Sequence, residues 1–231
     1  MILNNEITEL LKQEKCDIVG FADLHCLPIE SRQGFDSGIV IALPFTKEAM
    51  RENNNNNLQR YYDEHDPMNR RFIELKKITA DFITNKGYKA ETDTPASIID
   101  YENLSSPLSQ KTVATLAGIG WIGKCAMLVT NKYGSAIRLT VVLTNAPIDH
   151  GTPITESKCH PDCNICIDIC PGKAPLGGLW NTGTDRDDFF NAQACLNAGG
   201  IRAKKLLGIE KNLCGLCISN CPFTKKGLGY E

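Results

Sequence analysis

Apolar residues recur along the first 150 residues with two different spacings. Near the N-terminus, Ile7, Leu10 and Leu11 share one face at helical spacing and predict a short amphipathic helix. Apolar runs at residues 17–22 and 38–43 predict strands. The N-terminal part of the chain is therefore predicted to mix helices and strands.

A longer helix is predicted over residues 70–86, where Gly87 supplies a natural stop. The apolar residues that keep helical spacing there are Phe72, Leu75, Ile78, Phe82 and Ile83. Further apolar runs at 126–130 and 136–144 flank an Asn-Lys-Tyr-Gly sequence and predict a hairpin. Strands joined by hairpins favour an α+β fold over a doubly wound fold. The asparagine run at 53–57 is predicted to be a mobile loop.

Composition sets outer limits on size and partners. The 231 residues are 42% hydrophobic and 23% charged, which is enough for one core and a smaller module. A net charge of -2 gives no global reason to expect a nucleic acid. The N-terminus lacks a cationic leader with an apolar block, and no apolar run approaches the length of a membrane span. A cytoplasmic protein is expected.

Eleven cysteines are many for such a chain, and they are unevenly distributed. Cys16, Cys26 and Cys125 precede residue 150, whereas eight cysteines follow it. This predicts one domain over residues 1–150 and a second over 151–231. In a reducing compartment disulfides are rare, so metal ligation is the default explanation for the eight.

The eight cysteines fall into two runs and one detached residue. The first run reads C-x3-C-x2-C-x3-C-P and the second reads C-x2-C-x3-C-P, close to the bacterial two-cluster ferredoxin pattern. In that pattern the cysteine before proline ligates the opposite cluster. One [4Fe–4S] cluster is therefore predicted on Cys159, Cys163, Cys166 and Cys221, and a second on Cys170, Cys195, Cys214 and Cys217.

Structural zinc is the alternative, because paired cysteines also form tetrahedral sites. Zinc ligands usually come as separated pairs, whereas here four cysteines lie within twelve residues and both runs end in Cys-Pro. Iron–sulfur clusters are favoured, with the other three cysteines as buried thiols. Cys125 is the strongest exception among those three.

A glycine motif, Gly118-Ile-Gly120-Trp-Ile-Gly123, matches the dinucleotide-binding spacing. That motif requires a strand before it and a helix after it, and here a helix-like segment precedes and a strand-like segment follows. A tight helix-to-strand turn is one interpretation. The other is contact with a large cofactor bearing amides and a phosphate, because an aromatic face, a cation and a phenol lie nearby. These belong to Trp121, Lys124 and Tyr133.

The segment from 105 to 148, followed by the two cysteine runs, resembles the epoxyqueuosine reductase family, which is related to reductive dehalogenases. The match covers roughly residues 17–223. The resemblance implies an α+β domain of nitroreductase-like type that binds cobalamin, followed by a two-cluster ferredoxin-like domain. Electrons would pass from an external donor through both clusters to cobalt and then to a substrate. The implied corrinoid contacts are Ser105, Ser106, Pro107, Gly118, Gly120, Trp121, Gly123, Lys124, Tyr133 and Ser135.

Two departures from the family limit what the resemblance implies. Leu104 stands where the family has the aspartate proposed as proton donor, which leaves Asp93 and Asp100 as weak catalytic candidates. The chain also ends ten residues after Cys221, without the family's C-terminal helical-repeat domain. Together with the mild acidity, this argues against tRNA as a partner and predicts a small-molecule substrate.

Three functions remain open at this point. The first is a corrinoid-dependent reductase, the second an electron-transfer iron–sulfur protein without substrate chemistry of its own, and the third a flavin-dependent reductase. Lys225 and Lys226, just after Cys221, suit an acidic low-potential donor of ferredoxin or flavodoxin type. No membrane partner is expected.

Overall fold

The computed structural model describes residues 2–16 and 18–230, and it contains helices and strands in mixed order. The helices are α1 (Ile2–Gln13), α2 (Lys47–Asn54), α3 (Gln59–Asp63), α4 (His65–Asn85), α5 (Gln110–Leu116), α6 (Ile165–Asp168), α7 (Arg186–Phe189), α8 (Ala192–Leu207), α9 (Leu216–Ser219) and α10 (Pro222–Leu228). The strands are β1 (Ile18–Asp23), β2 (Ser37–Pro44), β3 (Ala90–Glu91), β4 (Trp121–Ile122), β5 (Leu128–Val129) and β6 (Ile137–Thr144). The predicted mixture of helices and strands is confirmed.

The contacts divide the described chain into two compact units. The first contains residues 2–16, 18–43, 68–119 and 138–154, and the second contains 44–67, 120–137 and 155–230. Two segments that precede residue 150 therefore pack with the cysteine-rich segment. The sequence predicted a single boundary at residue 150. The division differs because residues that are far apart in sequence pack together.

The first unit is built on a four-stranded sheet in the order β1-β2-β6-β3. β1 pairs antiparallel with β2, from Ile18 opposite Ala42 to Asp23 opposite Ser37. β2 buries six consecutive residues, as expected for a central strand covered on both faces. The helix predicted over 70–86 is present as α4, which begins earlier, at His65, and buries a stripe at helical spacing. Asp17, in the predicted first strand, lies outside the described residues.

The predicted hairpin between 126–130 and 136–144 is wrong. β5 pairs instead with β4, with Trp121 opposite Val129 and Ile122 opposite Leu128. β6 lies between β2 and β3 in the larger sheet. The physical reason is burial, because five consecutive residues at the end of β6 are buried. Such a run fits a central strand of a sheet that is covered on both faces.

The second unit consists largely of short helices and loops around the cysteines. α9 packs against α2, α6 and α10, and α2 packs against α3. Helices of four residues cannot persist alone, so tertiary contacts must hold them. Among the described residues, no helix is both long and apolar enough to cross a membrane.

The prediction of a mobile loop at 53–57 is wrong for its first two residues, which belong to α2. Asn53 belongs to α2 and is fully buried. Its side-chain oxygen accepts a hydrogen bond of 2.8 Å from Arg202, and its backbone oxygen accepts a second one of 3.3 Å from the same guanidinium. Its amide nitrogen lies 3.4 Å from the Ser219 hydroxyl. A buried guanidinium requires such acceptors, and composition alone could not reveal the pairing.

We expect Asn53→Ala to lower the free energy of unfolding by about 1–3 kcal/mol, because it leaves a buried guanidinium with one acceptor fewer. Asn54→Ala, at the next position of the same helix, should change it by less than about 0.5 kcal/mol. Urea denaturation of both variants measures the difference. Equal effects of the two substitutions would contradict the packing described here.

Candidate metal centre

Six cysteines of the second unit line one cavity of about 390 Å³. They are Cys125, Cys159, Cys163, Cys166, Cys217 and Cys221. Gly123, Lys124, Lys158 and Phe223 contribute to the same wall. Within residues 2–16 and 18–230, no three His, Cys, Asp or Glu side chains converge as they would on a single metal ion. The thiols instead surround a space.

Both cysteine runs fold as a loop, a short helical turn and a Cys-Pro step. In the first run, Cys166 lies in α6, and the chain leaves the helical turn at Cys170 before Pro171. In the second run, Gly215 adopts a left-handed conformation (φ 71°) just before α9, which carries Cys217. Cys221 then caps α10, with Pro222 at its first position. Proline disfavours helical geometry in the residue before it, so each Cys-Pro step ends a turn.

Five of the eight predicted cluster ligands line the cavity. Cys159, Cys163, Cys166 and Cys221, the predicted ligands of one cluster, all line the cavity. Of the other predicted set, Cys170 and Cys214 interact electrostatically with each other, while Cys217 also reaches the cavity. Cys195, the detached member of this set, lies in α8.

Burial controls the protonation of these thiols before any metal binds. Burial raises the pKa of Cys214 and of Cys221 above the ordinary value for a thiol. For Cys166 the contact with Cys125 is the largest cause of a raised pKa, followed by burial. Metal binding must therefore displace protons from these groups, and the bound metal would supply the compensating charge.

Lys124 holds the loop that carries the first cysteine run. Its side chain is only 3% exposed, and its ammonium donates hydrogen bonds to the backbone oxygens of Pro161 (2.6 Å) and Cys163 (3.1 Å). One interpretation of the sequence placed Lys124 near a large cofactor bearing amides and a phosphate. The structure directs these two hydrogen bonds to the cysteine loop instead.

The glycine motif makes a tight turn between α5 and β4, in the predicted order of helix before strand. Gly118 has a φ of 71°, and a Cβ atom there would lie 2.5 Å from the backbone oxygen of Thr152. A Cβ on Gly120 would overlap the backbone oxygen of Val129. A Cβ on Gly123 would lie 2.9 Å from a methyl carbon of Val129. The close approach of other chain segments therefore explains all three glycines.

Trp121 is buried with its ring edge against Phe223, at 4.9 Å between ring centroids. The Lys158 ammonium lies 5.7 Å from the centroid of the Trp121 ring. The Trp121 indole nitrogen is buried without a hydrogen-bond partner among the described residues. Phe223 and Lys158, which contact the ring, both line the thiol cavity. An orphaned buried donor beside this cavity fits a group that is not part of the polypeptide.

Ser135 and Tyr133, also predicted as cofactor contacts, have contacts within the second unit. The Ser135 amide donates to the Thr224 hydroxyl (3.0 Å), and its side chain interacts with the Cys221 thiol. Tyr133 is half-buried, with the Lys132 ammonium 4.9 Å from its ring centroid. Ser135 thus supports a cysteine of the cavity directly.

The remaining predicted site residues lie in the first unit. Ser105 pairs with Asp100 through two backbone hydrogen bonds, and the Ser106 hydroxyl donates to the Leu108 backbone oxygen. Pro107 is exposed. Within its own unit, this segment is an ordered turn at the surface.

Both candidate aspartates lie in the first unit, and their role as proton donors stays a prediction. The Asp100 carboxylate accepts from the Asn103 side chain (2.7 Å), and this hydrogen bond is the largest cause of its lowered pKa. A lowered pKa keeps the carboxylate ionised near neutral pH. Asp93 is exposed, and its backbone oxygen accepts from Gln33.

Arg202 was missed in the sequence. It is buried, and it donates to the backbone oxygen of Cys214 (2.8 Å) as well as to Asn53. Arg202 follows Cys195 by seven residues, which puts both on one face of α8. That spacing is the only signal the sequence offered, and a buried arginine cannot be told from an exposed one by spacing alone.

Curated proteins similar to this chain include several epoxyqueuosine reductases. The chain is 32% identical to the one from Lactococcus garvieae over 174 residues, covering 71% of this chain and 42% of that protein. It is 31% identical to the one from Bacillus subtilis over 159 residues, covering 66% and 36%. This chain is an epoxyqueuosine reductase-like protein. It spans about two fifths of the length of these relatives, and no family model matches it.

Solved structures of epoxyqueuosine reductase have the same fold over almost the whole chain. One such structure covers 96% of this chain and 66% of its own, with a TM-score of 0.60 and 24% identity. A catabolic reductive dehalogenase covers 96% of this chain and 32% of its own, with a TM-score of 0.67 and 16% identity. The mixed fold of epoxyqueuosine reductase-like proteins and reductive dehalogenases is therefore the fold of this chain.

The prediction against tRNA is contradicted. An epoxyqueuosine reductase solved with an epoxyqueuosine-modified tRNA-Tyr stem loop covers 96% of this chain, with a TM-score of 0.59 and 25% identity. The prediction rested on net charge and on where the chain ends. Net charge does not exclude a local surface for RNA, so the prediction of a small-molecule substrate loses its basis as well.

We expect Lys124→Met to loosen the loop that carries the first cysteine run. Two backbone oxygens lose a charged donor, which should lower the free energy of unfolding by about 1.5–3 kcal/mol. Amide hydrogen exchange over residues 161–166 in the metal-free protein should become faster. The exposed Lys226→Met variant is the matched control, and equal exchange in the two variants would contradict the role of Lys124.

Proposed function

We propose that this chain is an iron–sulfur reductase that binds two [4Fe–4S] clusters and works with a corrinoid. The observation that carries the proposal is the cavity lined by six cysteine thiols beside two further cysteines that interact with each other. A cubane cluster needs four thiolates spread around a volume rather than four sulfurs on one ion. The cavity suits a cluster better than zinc for that reason.

The proposed ligands keep the crossed pattern of two-cluster ferredoxins. Cys159, Cys163, Cys166 and Cys221 would bind one cluster, and Cys170, Cys195, Cys214 and Cys217 the other. The shared cavity supports the first set, and the interaction of Cys170 with Cys214 supports the second. Cys217 reaches the cavity of the first set, so the two clusters would be neighbours.

Two buried cations would tune these clusters. A [4Fe–4S] centre with four thiolates carries net negative charge, which increases on reduction. The Lys124 ammonium bonds the Cys163 backbone oxygen, and the Arg202 guanidinium bonds that of Cys214. Fixed positive charge next to each ligand loop would favour the reduced state, and it also keeps the loops closed.

A bound corrinoid would supply the electron-rich metal at which the substrate is reduced. Support comes from the relatives, because the fold is that of a reductive dehalogenase described as B12-dependent. In the second unit, Lys124 donates to the cysteine loop and Ser135 pairs with Thr224, so neither supports corrinoid binding by itself. Corrinoid contacts by Ser105, Ser106 and Pro107 remain a prediction.

The substrate proposed first for testing is the epoxide of a tRNA-borne epoxyqueuosine, as the names of the relatives suggest. Its reduction to an alkene consumes two electrons and two protons and releases water. The electrons would come from an external low-potential donor of ferredoxin or flavodoxin type. Lys225 and Lys226, beside Cys221 in α10, are the proposed docking charges for that acidic donor.

A second candidate function is electron transfer without substrate chemistry. Leu104 cannot donate a proton, and the Asp100 carboxylate accepts hydrogen bonds within its own turn. Under this proposal the chain would bind both clusters and pass electrons to a partner protein. Activity with an epoxyqueuosine-modified stem loop separates the two functions.

We expect anaerobically reconstituted protein to hold about eight irons and eight sulfides per chain. Cys221→Ala and Cys195→Ala should each lower the iron content towards about four, because each removes one ligand from a different cluster. Cys26→Ala, an exposed cysteine of the first unit, is the control and should keep about eight. Zinc in place of iron would overturn the proposal.

The corrinoid is tested on the same preparations. Protein mixed with hydroxocobalamin and passed through gel filtration should retain near-stoichiometric cobalt. A modified tRNA stem loop and a reductant should then yield the alkene. Full iron content with neither cobalt nor product would support the electron-transfer function instead.

A further inference from the structure

Cys125 is the one cysteine of the second unit that the proposed ligand scheme leaves without a role. It is 4% exposed and lines the same cavity as the ligand thiols. The cavity therefore presents more sulfur atoms than one cluster can use. The inference below rests on the proposed cluster binding.

The chain around Cys125 is fixed on both sides. β4 and β5 are paired, and between them the Gly123 amide donates to the Met127 backbone oxygen (2.9 Å). The Ala126 amide donates to the Gly123 backbone oxygen (2.8 Å), and Ala126 has a φ of 56°. A residue other than glycine in this conformation is strained, so the turn is held by its surroundings.

The Cys125 thiol shares the cavity with one proposed ligand from each cluster. Cys166 and Cys217 both line that cavity, and interactions with both thiols shift the pKa of Cys125. Cys166 is assigned to the first cluster and Cys217 to the second. The preceding residue, Lys124, donates hydrogen bonds to the loop of the first cysteine run. The turn between β4 and β5 therefore lies next to both ligand sets.

We propose that Cys125 is a positioning residue whose S–H group donates a hydrogen bond shared by the ligand sulfurs of Cys166 and Cys217. In the loaded protein these two sulfurs are thiolates and carry no proton, so Cys125 is the donor and they are the acceptors. Hydrogen bonds to ligand sulfur stabilise the more negative, reduced cluster and raise its potential. Cys125 itself does not ligate iron.

The matched variants are Cys125→Ala, which removes the donor, and Cys125→Ser, which keeps a hydroxyl donor of similar size. Cys16→Ala removes a buried thiol in the first unit that contacts the Ala42 backbone oxygen, and it serves as the control. Each protein is reconstituted, its iron and sulfide are counted, and the cluster midpoint potentials are measured by redox titration with electron paramagnetic resonance (EPR).

We expect all four proteins, wild type included, to hold about eight irons. The midpoint potential of at least one cluster should fall in Cys125→Ala, by about 59 mV for a tenfold change in the one-electron equilibrium. Cys125→Ser should stay at or above the wild-type value, and Cys16→Ala should match it. Rescue by serine is a result that a purely structural role would not produce.

Two results would overturn this inference while leaving the proposed function intact. One is loss of iron in Cys125→Ala, which would make Cys125 a ligand. The other is a full complement of iron with unchanged potentials in Cys125→Ala. Wild-type protein that holds no iron would overturn both the inference and the proposed function.

Discussion

The structure of the second unit depends on holding half-buried thiols around a cavity while the loops that carry them stay closed. Such loops are rich in backbone oxygens that lack partners from regular secondary structure. Lys124 supplies a buried ammonium to two of these oxygens, in the first cysteine run. Arg202 supplies a guanidinium to Cys214 in the second. These two buried cations add to the helix packing that holds α6 and α9 in place.

The same cations connect distant segments of the chain to the cysteines. Lys124 comes from the turn between β4 and β5, and Asn53, at the end of α2, positions Arg202. These hydrogen bonds explain why residues 44–67 and 120–137 belong to the second unit, although both segments precede the cysteine runs. The cysteine-rich segment therefore completes its unit with parts of the chain that the sequence assigned elsewhere.

Sequence patterns predicted those features of the fold that depend on neighbouring residues. The stripe of α4 follows from its apolar spacing, and the reversed order of helix and strand around Gly118 follows from the neighbouring periodicities. The burial of Asn53 could not be foreseen, because its partner Arg202 lies 149 residues away. The Lys124 ammonium donates to two backbone oxygens, and no pattern of side chains in the sequence reveals such partners.

The central claim, that the thiols of this unit bind two neighbouring cubane clusters, is tested most directly by EPR spectroscopy of the reconstituted protein after reduction. Crossed ligation through Cys170 and Cys221 would bring the two clusters close enough for their unpaired spins to interact. The account predicts a complex, spin-coupled spectrum from about eight irons per chain. A single uncoupled signal from about four irons, or no iron signal with bound zinc, would contradict it.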